Sequence, residues 1–231
     1  MERLQEFFDV HKIEKCTYTE LSASDGNKRK SLIYSEEKEA YSFDQITRLF
    51  FPKIWPSSAD AILFKGETRI YLIEFKSGFE REKFDLNKCK CDYKGNVCED
   101  YAELFKRSLD NINRELQANL FQKAAESRWI LEKHLLPQIC SDEEQIEDIK
   151  VYFDIVIDKV KDNPIDAMEE IMDGLAGQAG SKEKSSNIYV QMQQSLKKIF
   201  CKNCFTGKPS FYNKAEVLSK EEFEQKFLKH V

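Results

Sequence analysis

The apolar positions fall into helical and alternating stretches that divide the chain into a short series of elements. Leu4 to Ile13 places Leu4, Phe7 and Phe8 on one side of a helix, so a short amphipathic helix is expected there. Leu32-Ile33-Tyr34 reads as a short strand. Ser42-Phe43-Asp44-Gln45 has capping-box spacing and predicts a helix from Ser42 towards Phe50. Pro52 and Pro56 punctuate the chain before two strongly apolar runs, Ala61 to Phe64 and Arg69 to Phe75. Lys65-Gly66-Glu67-Thr68 lies between them, and Gly66 suits a tight turn, so the two runs read as a hairpin. From Tyr101 to about Leu135 the residues Phe105, Leu109, Ile112, Leu116, Leu120 and Ala124 recur at helical spacing, and Pro137 is expected to end that helix. Lys150 to Asp158 alternates, with Phe153, Ile155 and Ile157 on one face. Asp154 and Asp158 fall on the other face, either towards water or, if that strand neighbours Glu74, near it. Ile188 to Phe200 reads as a helix, and Ser219-Lys220-Glu221-Glu222 opens a short C-terminal one.

This order of elements predicts an α/β fold, a mixed central β-sheet flanked by helices, with a helical C-terminal extension. Residues 1–173 are expected to form the main domain, with a charged, cysteine-bearing insertion at about 79–99. Residues 174–187, rich in Gly, Ser and Lys, read as a flexible loop. Residues 188–231 are expected to pack on the same domain.

Charges interrupt the hairpin at Asp60, Glu74 and Lys76. A charge inside an apolar run is costly unless it is paired or binds a metal. If Gly66 to Thr68 form the loop, Lys65 faces Arg69, Phe64 faces Ile70 and Asp60 faces Glu74. A two-residue loop would set Asp60 opposite Ile73 instead. The first register brings the two carboxylates to about 5 Å between Cβ atoms on one face. Alternation puts Lys76 on that face and turns Phe75 to the other. Mg²⁺ or Mn²⁺ binds through one or two carboxylates with water and phosphate, and an adjacent lysine can orient water or offset developing charge. The triplet acid-x-Lys is not selective by itself: Glu36-Glu37-Lys38, Asp92-Tyr93-Lys94, Asp148-Ile149-Lys150 and Glu224-Gln225-Lys226 share it. Only the copy at Glu74 lies in an apolar strand whose hairpin partner carries an acid.

Asp60, Glu74 and Lys76 resemble the motif of the PD-(D/E)xK, or restriction-endonuclease-like, nuclease superfamily: an acid at the start of one core strand, then acid-x-Lys on the next. Ala59 stands where the family often has proline. The resemblance spans roughly Ser42 to Asp158 and implies metal-dependent cleavage of DNA or RNA, with Asp60 and Glu74 holding the metal and Lys76 positioning or activating water. Many members add an upstream helical acid, for which Glu36, Glu37, Glu39 and Asp44 are all available. Some add a Gln or Lys on the following helix, where Gln117 and Gln122 are candidates. The superfamily includes members without activity, so a non-catalytic binding or scaffold protein on the same fold is the alternative.

The cysteines suggest a second centre. Cys89, Cys91 and Cys98 with the pair Cys201 and Cys204 could hold zinc, or an iron–sulfur cluster, and staple the C-terminal segment to the insertion. Free thiols are the other reading. A formal charge of −5 argues against a generally basic nucleic-acid binder but leaves room for a local basic groove. Arg81, Lys83, Lys88, Lys90, Lys94, Lys106, Arg107 and Arg114 follow the motif and could contact phosphates; Lys28-Arg29-Lys30 is a further basic cluster. The N-terminal residues carry acids where a signal peptide is apolar, and no apolar stretch approaches the roughly 20 residues of a membrane helix. A cytoplasmic protein with no membrane partner is therefore expected. A homodimer would suit a nuclease that cuts both strands of a duplex.

Overall fold

The structure is a computed structural model that describes residues 3–23, 28–53, 56–77, 115, 117–140, 143–158, 188–201 and 211–229. Within these residues six strands form one mixed sheet in chain order: β1 (Lys15–Thr17), β2 (Glu39–Ser42), β3 (Ala61–Lys65), β4 (Arg69–Lys76), β5 (Lys150–Ile157) and β6 (Lys214–Leu218). The first four are antiparallel neighbours, and β5 and β6 run parallel to β4. Parallel neighbours need a crossover, and the sequence supplies helical segments for both. The first includes α4 (residues 117–130), α5 (Leu136–Ile139) and α6 (Glu143–Asp148); the second includes α7 (Ile188–Leu196). The remaining helices are α1 (Leu4–His11), α2 (Tyr18–Leu21), α3 (Phe43–Phe50) and α8 (Lys220–Phe223). The expected α/β class, a mixed sheet flanked by helices, is what is seen.

Both faces of the sheet are covered, which is why β4 and β5 read as nearly continuous apolar runs. Ile62, Ile70, Leu72, Phe153 and Ile155 share one core with Phe8 of α1, Phe43 of α3, Leu120 of α4 and Leu196 of α7. Ala61, Tyr71, Ile73, Phe75 and Val156 share the other with Tyr18 of α2, Ile33 and Phe223 of α8. Of the two registers open to the hairpin, the three-residue one is seen: Lys65 faces Arg69, Phe64 faces Ile70 and Ala61 faces Ile73. Gly66 turns it with φ +68°, a conformation that penalises any side chain. Ser42 caps α3 by accepting from the Gln45 N–H, and Ser219 and Glu222 form a complete capping box on α8.

Three expectations change. Leu32-Ile33-Tyr34 is not a strand. The Ser22 hydroxyl bonds both the N–H and the C=O of Ile33, taking the groups a ladder would need. Pro137 does not end its helix. A π turn at Leu131–Leu135 widens the backbone before it, and α5 continues to Ile139 with Pro137 in its first turn. The C-terminal segment is helical at α7 and α8, but between them it also adds β6 to the sheet. The insertion at 79–99, the loop at 174–187 and the helix expected before residue 115 lie outside the described residues.

Candidate active site

The sequence Ser57-Ser58-Ala59-Asp60 enters β3 as a strap held on two sides. The N–H groups of Ser57 and Ala59 bond Glu126 and Ser127 of α4, and the Ser58 hydroxyl bonds Asp44 of α3. The Phe43 N–H donates to the Asp60 carbonyl at 3.1 Å. Asp60 sits one residue before β3, so continuing the register places it opposite Glu74. Its Oδ2 accepts the Phe75 N–H of β4 at 2.7 Å, which fixes the carboxylate and leaves Oδ1 directed elsewhere.

Glu74 shares a face with Ile70 and Leu72, and it is 1% exposed. Phe75 turns to the opposite core, against Tyr18 and Phe223. Lys76, partly exposed at the end of β4, falls on the Glu74 face, and its charge is felt at Glu74. The structure thus sets Asp60 opposite Glu74, with Lys76 two residues farther along the same face.

A fourth residue joins them. Lys123 of α4 brings its ammonium to 2.7 and 2.9 Å from the two Glu74 carboxylate oxygens and 3.5 Å from Asp60 Oδ1. Burial, and then the neighbouring Asp60 charge, push Glu74 well above the usual carboxylate range, with Lys123 pulling the other way. Burial likewise raises Asp60, while Lys123 and the Phe75 N–H lower it. For Lys123 burial acts downward, but the Glu74 and Asp60 charges outweigh it and its pKa rises.

Sequence reasoning considered Gln117 and Gln122 on this helix and missed Lys123. Gln122 instead bonds Glu126 on the same helix. A signal for Lys123 was present. It lies three residues after Leu120 and one before Ala124, both fully or almost fully buried, so it is a charge beside the sheet-facing stripe of an amphipathic helix.

The four candidate upstream acids differ in placement. Glu36, Glu37 and Glu39 are exposed, and Glu39 faces Thr17 on β1. Asp44, in the first turn of α3, lines the same cleft as Asp60 and adds to the negative field there. That cleft has a volume of about 450 Å³ and runs past Ser42 and Gln45 to Cys16, Glu20 and Lys28. Lys28 pairs with Glu20 at 2.8 Å.

Asp154 does not join the site, and it does not face water. β5 is indeed beside β4, but Asp154 pairs in register with Ile73 and lies on the opposite face from Glu74. There it is 1% exposed and bonded to Lys226 at 2.6 Å. Of the proposed cysteine centre only Cys201 is described; burial raises its thiol pKa. Cys89, Cys91, Cys98 and Cys204 lie outside the described residues. Among the described residues no three His, Cys, Asp or Glu side chains gather to hold a metal ion, and no helix is long and apolar enough to cross a membrane.

Compared with known proteins, the chain matches no family model, no curated protein and no solved structure.

Proposed function

We propose that the protein is a nuclease that hydrolyses phosphodiester bonds of DNA or RNA, with Mg²⁺ or Mn²⁺ held by Asp60 and Glu74. One observation carries this reading: Asp60 Oδ1 and both Glu74 oxygens converge on a single cation position, taken by the Lys123 ammonium, beside a cleft that Asp60 lines. The donors are all oxygens, as a hard divalent cation prefers, and two carboxylates leave room for water and phosphate. Bound there, the metal would stabilise charge on the phosphate and make a water more acidic. The Phe75 N–H orients Asp60 so that one oxygen faces the cation position. Lys76, two residues beyond Glu74 on the same face and nearer solvent, positions the attacking water and offsets charge in the transition state. Asp44 braces the Ser58 strap on which Asp60 is carried. Lys28, at the far end of the cleft, offers a contact for a neighbouring phosphate.

A second reading has its own support. Lys123 could neutralise Glu74 permanently, which is how a non-catalytic member of such a fold, binding nucleic acid or acting as a scaffold, would be built.

Labelled single- and double-stranded DNA and RNA, incubated with Mg²⁺ or Mn²⁺ and separately with chelator, decide between them. The nuclease reading expects metal-dependent cleavage of at least one substrate, lost in Asp60→Asn and in Lys76→Met. Absence of cleavage on all four substrates, or cleavage unchanged in both variants, favours the non-catalytic protein.

A further inference from the structure

Glu74 is almost completely buried, and Asp60 stands beside it with one oxygen committed to the backbone. Two carboxylates in this position repel each other and need a cation close by. The three oxygens that remain are the ones Lys123 engages: both from Glu74 and Oδ1 from Asp60. These are also the oxygens a divalent ion would require. An ammonium and a metal cannot share the point, because metal–oxygen distances are about 2.1 Å and the ammonium already lies within hydrogen-bond range.

The three participants are not equally fixed. Glu74 is carried by a central strand with both faces covered, and Asp60 is tied by its main chain to Phe43 and by its side chain to Phe75. The Lys123 side chain is 27% exposed on a helix flank and reaches the acids on a flexible four-carbon stem. It can leave without disturbing the packed core. A contrast within the same molecule sharpens this. Lys226, which neutralises Asp154 on the other face, is equally exposed at 28% but is also held over the rings of Tyr71 and Phe227 at 5.3 and 5.2 Å.

We infer that Lys123 is a resident counter-ion that keeps Asp60 and Glu74 converged on one point, and that a divalent cation enters by displacing its ammonium. This rests on the metal-site reading above and assigns Lys123 the part of a positioning residue. Exchange of one positive charge for two keeps a cation against the buried acids throughout. The displaced ammonium swings outward on its stem, and its charge opposes the incoming metal. Metal affinity is therefore held down by this side chain, and the acids do not need the metal to stay folded.

Calorimetric titration with Mn²⁺ alone, together with thermal unfolding in chelator and in Mn²⁺, tests this on the full chain without any cleavage readout. Lys123→Met is expected to unfold at lower temperature than wild type in chelator, to recover in Mn²⁺, and to bind Mn²⁺ about tenfold or more tightly than wild type. Lys123→Arg keeps the charge and can grip Glu74 with two bonds, so it should remain folded and bind Mn²⁺ more weakly than wild type. Equal Mn²⁺ affinity in wild type, Lys123→Met and Lys123→Arg overturns the displacement inference and leaves the metal site standing. No Mn²⁺ binding by any of the three at millimolar concentration overturns the inference and the metal site together. If Lys123→Met does not fold in chelator, the comparison of wild type with Lys123→Arg decides alone.

Discussion

The two faces of the central sheet carry nearly the same charge triad, and they differ in what surrounds it. On one face Glu74 of β4, 1% exposed, meets Lys123 at 2.7 Å, with Asp60 at 3.5 Å from the same ammonium. On the other Asp154 of β5, also 1% exposed, meets Lys226 at 2.6 Å, with Glu216 at 3.1 Å. Burial and pairing are therefore no guide to function here. The difference lies around them. Asp60 opens onto a cleft, Asp44 lines the same cleft, and Lys76 adds a second amine. At the Asp154 triad the lysine is equally exposed, 28% against 27%, but aromatic rings flank Lys226, Lys214 pairs with Glu216 at 2.7 Å, and Asp154 Oδ1 has no hydrogen-bond partner among the described residues. An ion pair flanked by rings ties the chain just beyond α8 to the sheet. The same pair beside a cleft can exchange its cation.

The largest expected effect separates the two triads by chemistry. Asp60→Asn retains an acceptor for the Phe75 N–H but removes the charge, and Glu74→Gln does the same at its partner. Each should lower metal-dependent cleavage by about 100- to 1,000-fold, while Asp154→Asn leaves the rate within a few-fold of wild type. Loss of cleavage in Asp154→Asn to the same degree would erase the distinction between the faces.

Next in size is a stability effect confined to the Asp154 triad. Lys226→Ala leaves Asp154 buried without its cation and should cost about 2–4 kcal/mol in denaturant unfolding. Asp154→Asn combined with Lys226→Met should recover most of that, because a neutral pair no longer carries the burial cost. Equal losses in the single and double variants would show that packing of the lysine stem, not charge, is what matters.

A pH series probes the same group from the other side. Burial raises the Asp154 pKa to about 6, against an ordinary 3.8. The folded protein therefore holds a proton that the unfolded chain releases. The stabilisation is complete below about pH 4 and is lost as pH rises through about 6, a swing of about 3 kcal/mol. Asp60 and Glu74 are shifted in the same direction, so the difference between wild type and Asp154→Asn isolates the contribution. Unfolding curves from pH 4 to 7 that run parallel in the two proteins would contradict it.

The smallest effect concerns the cleft. Lys28→Ala should weaken nucleic-acid binding without metal and reduce the slope of log affinity against log salt by about one. An unchanged slope would remove Lys28 from the binding surface.

The hairpin and its consequences were legible in the sequence because local rules govern them. A Gly-containing loop allows two registers, of which the three-residue one sets Asp60 opposite Glu74, and alternation sends Phe75 to the other core. The small strands β1 and β2 were missed, being three and four residues long and too short for a period to show. β6 offers only Ala215 and Val217 in alternation, and its place follows from parallel pairing with a distant strand. Asp154 was expected to face water or to approach Glu74 because alternation gives a face but not what covers it. Its cover includes Lys226, from one of the acid-x-Lys triplets that carried no weight as a motif. Lys123 stands 49 residues from Glu74 along the chain. No local spacing connects them, although a lysine beside a buried helical stripe was a visible anomaly.

Asp60 and Glu74 are proposed to form a divalent-cation site at which Lys123 is the resident cation. A crystal of the protein soaked in Mn²⁺ and measured for anomalous scattering tests it most directly. A peak is expected between Asp60 Oδ1 and the Glu74 carboxylate, with the Lys123 ammonium displaced outward. Lys123 still bonded to both Glu74 oxygens, with no anomalous peak between the two acids, would contradict it.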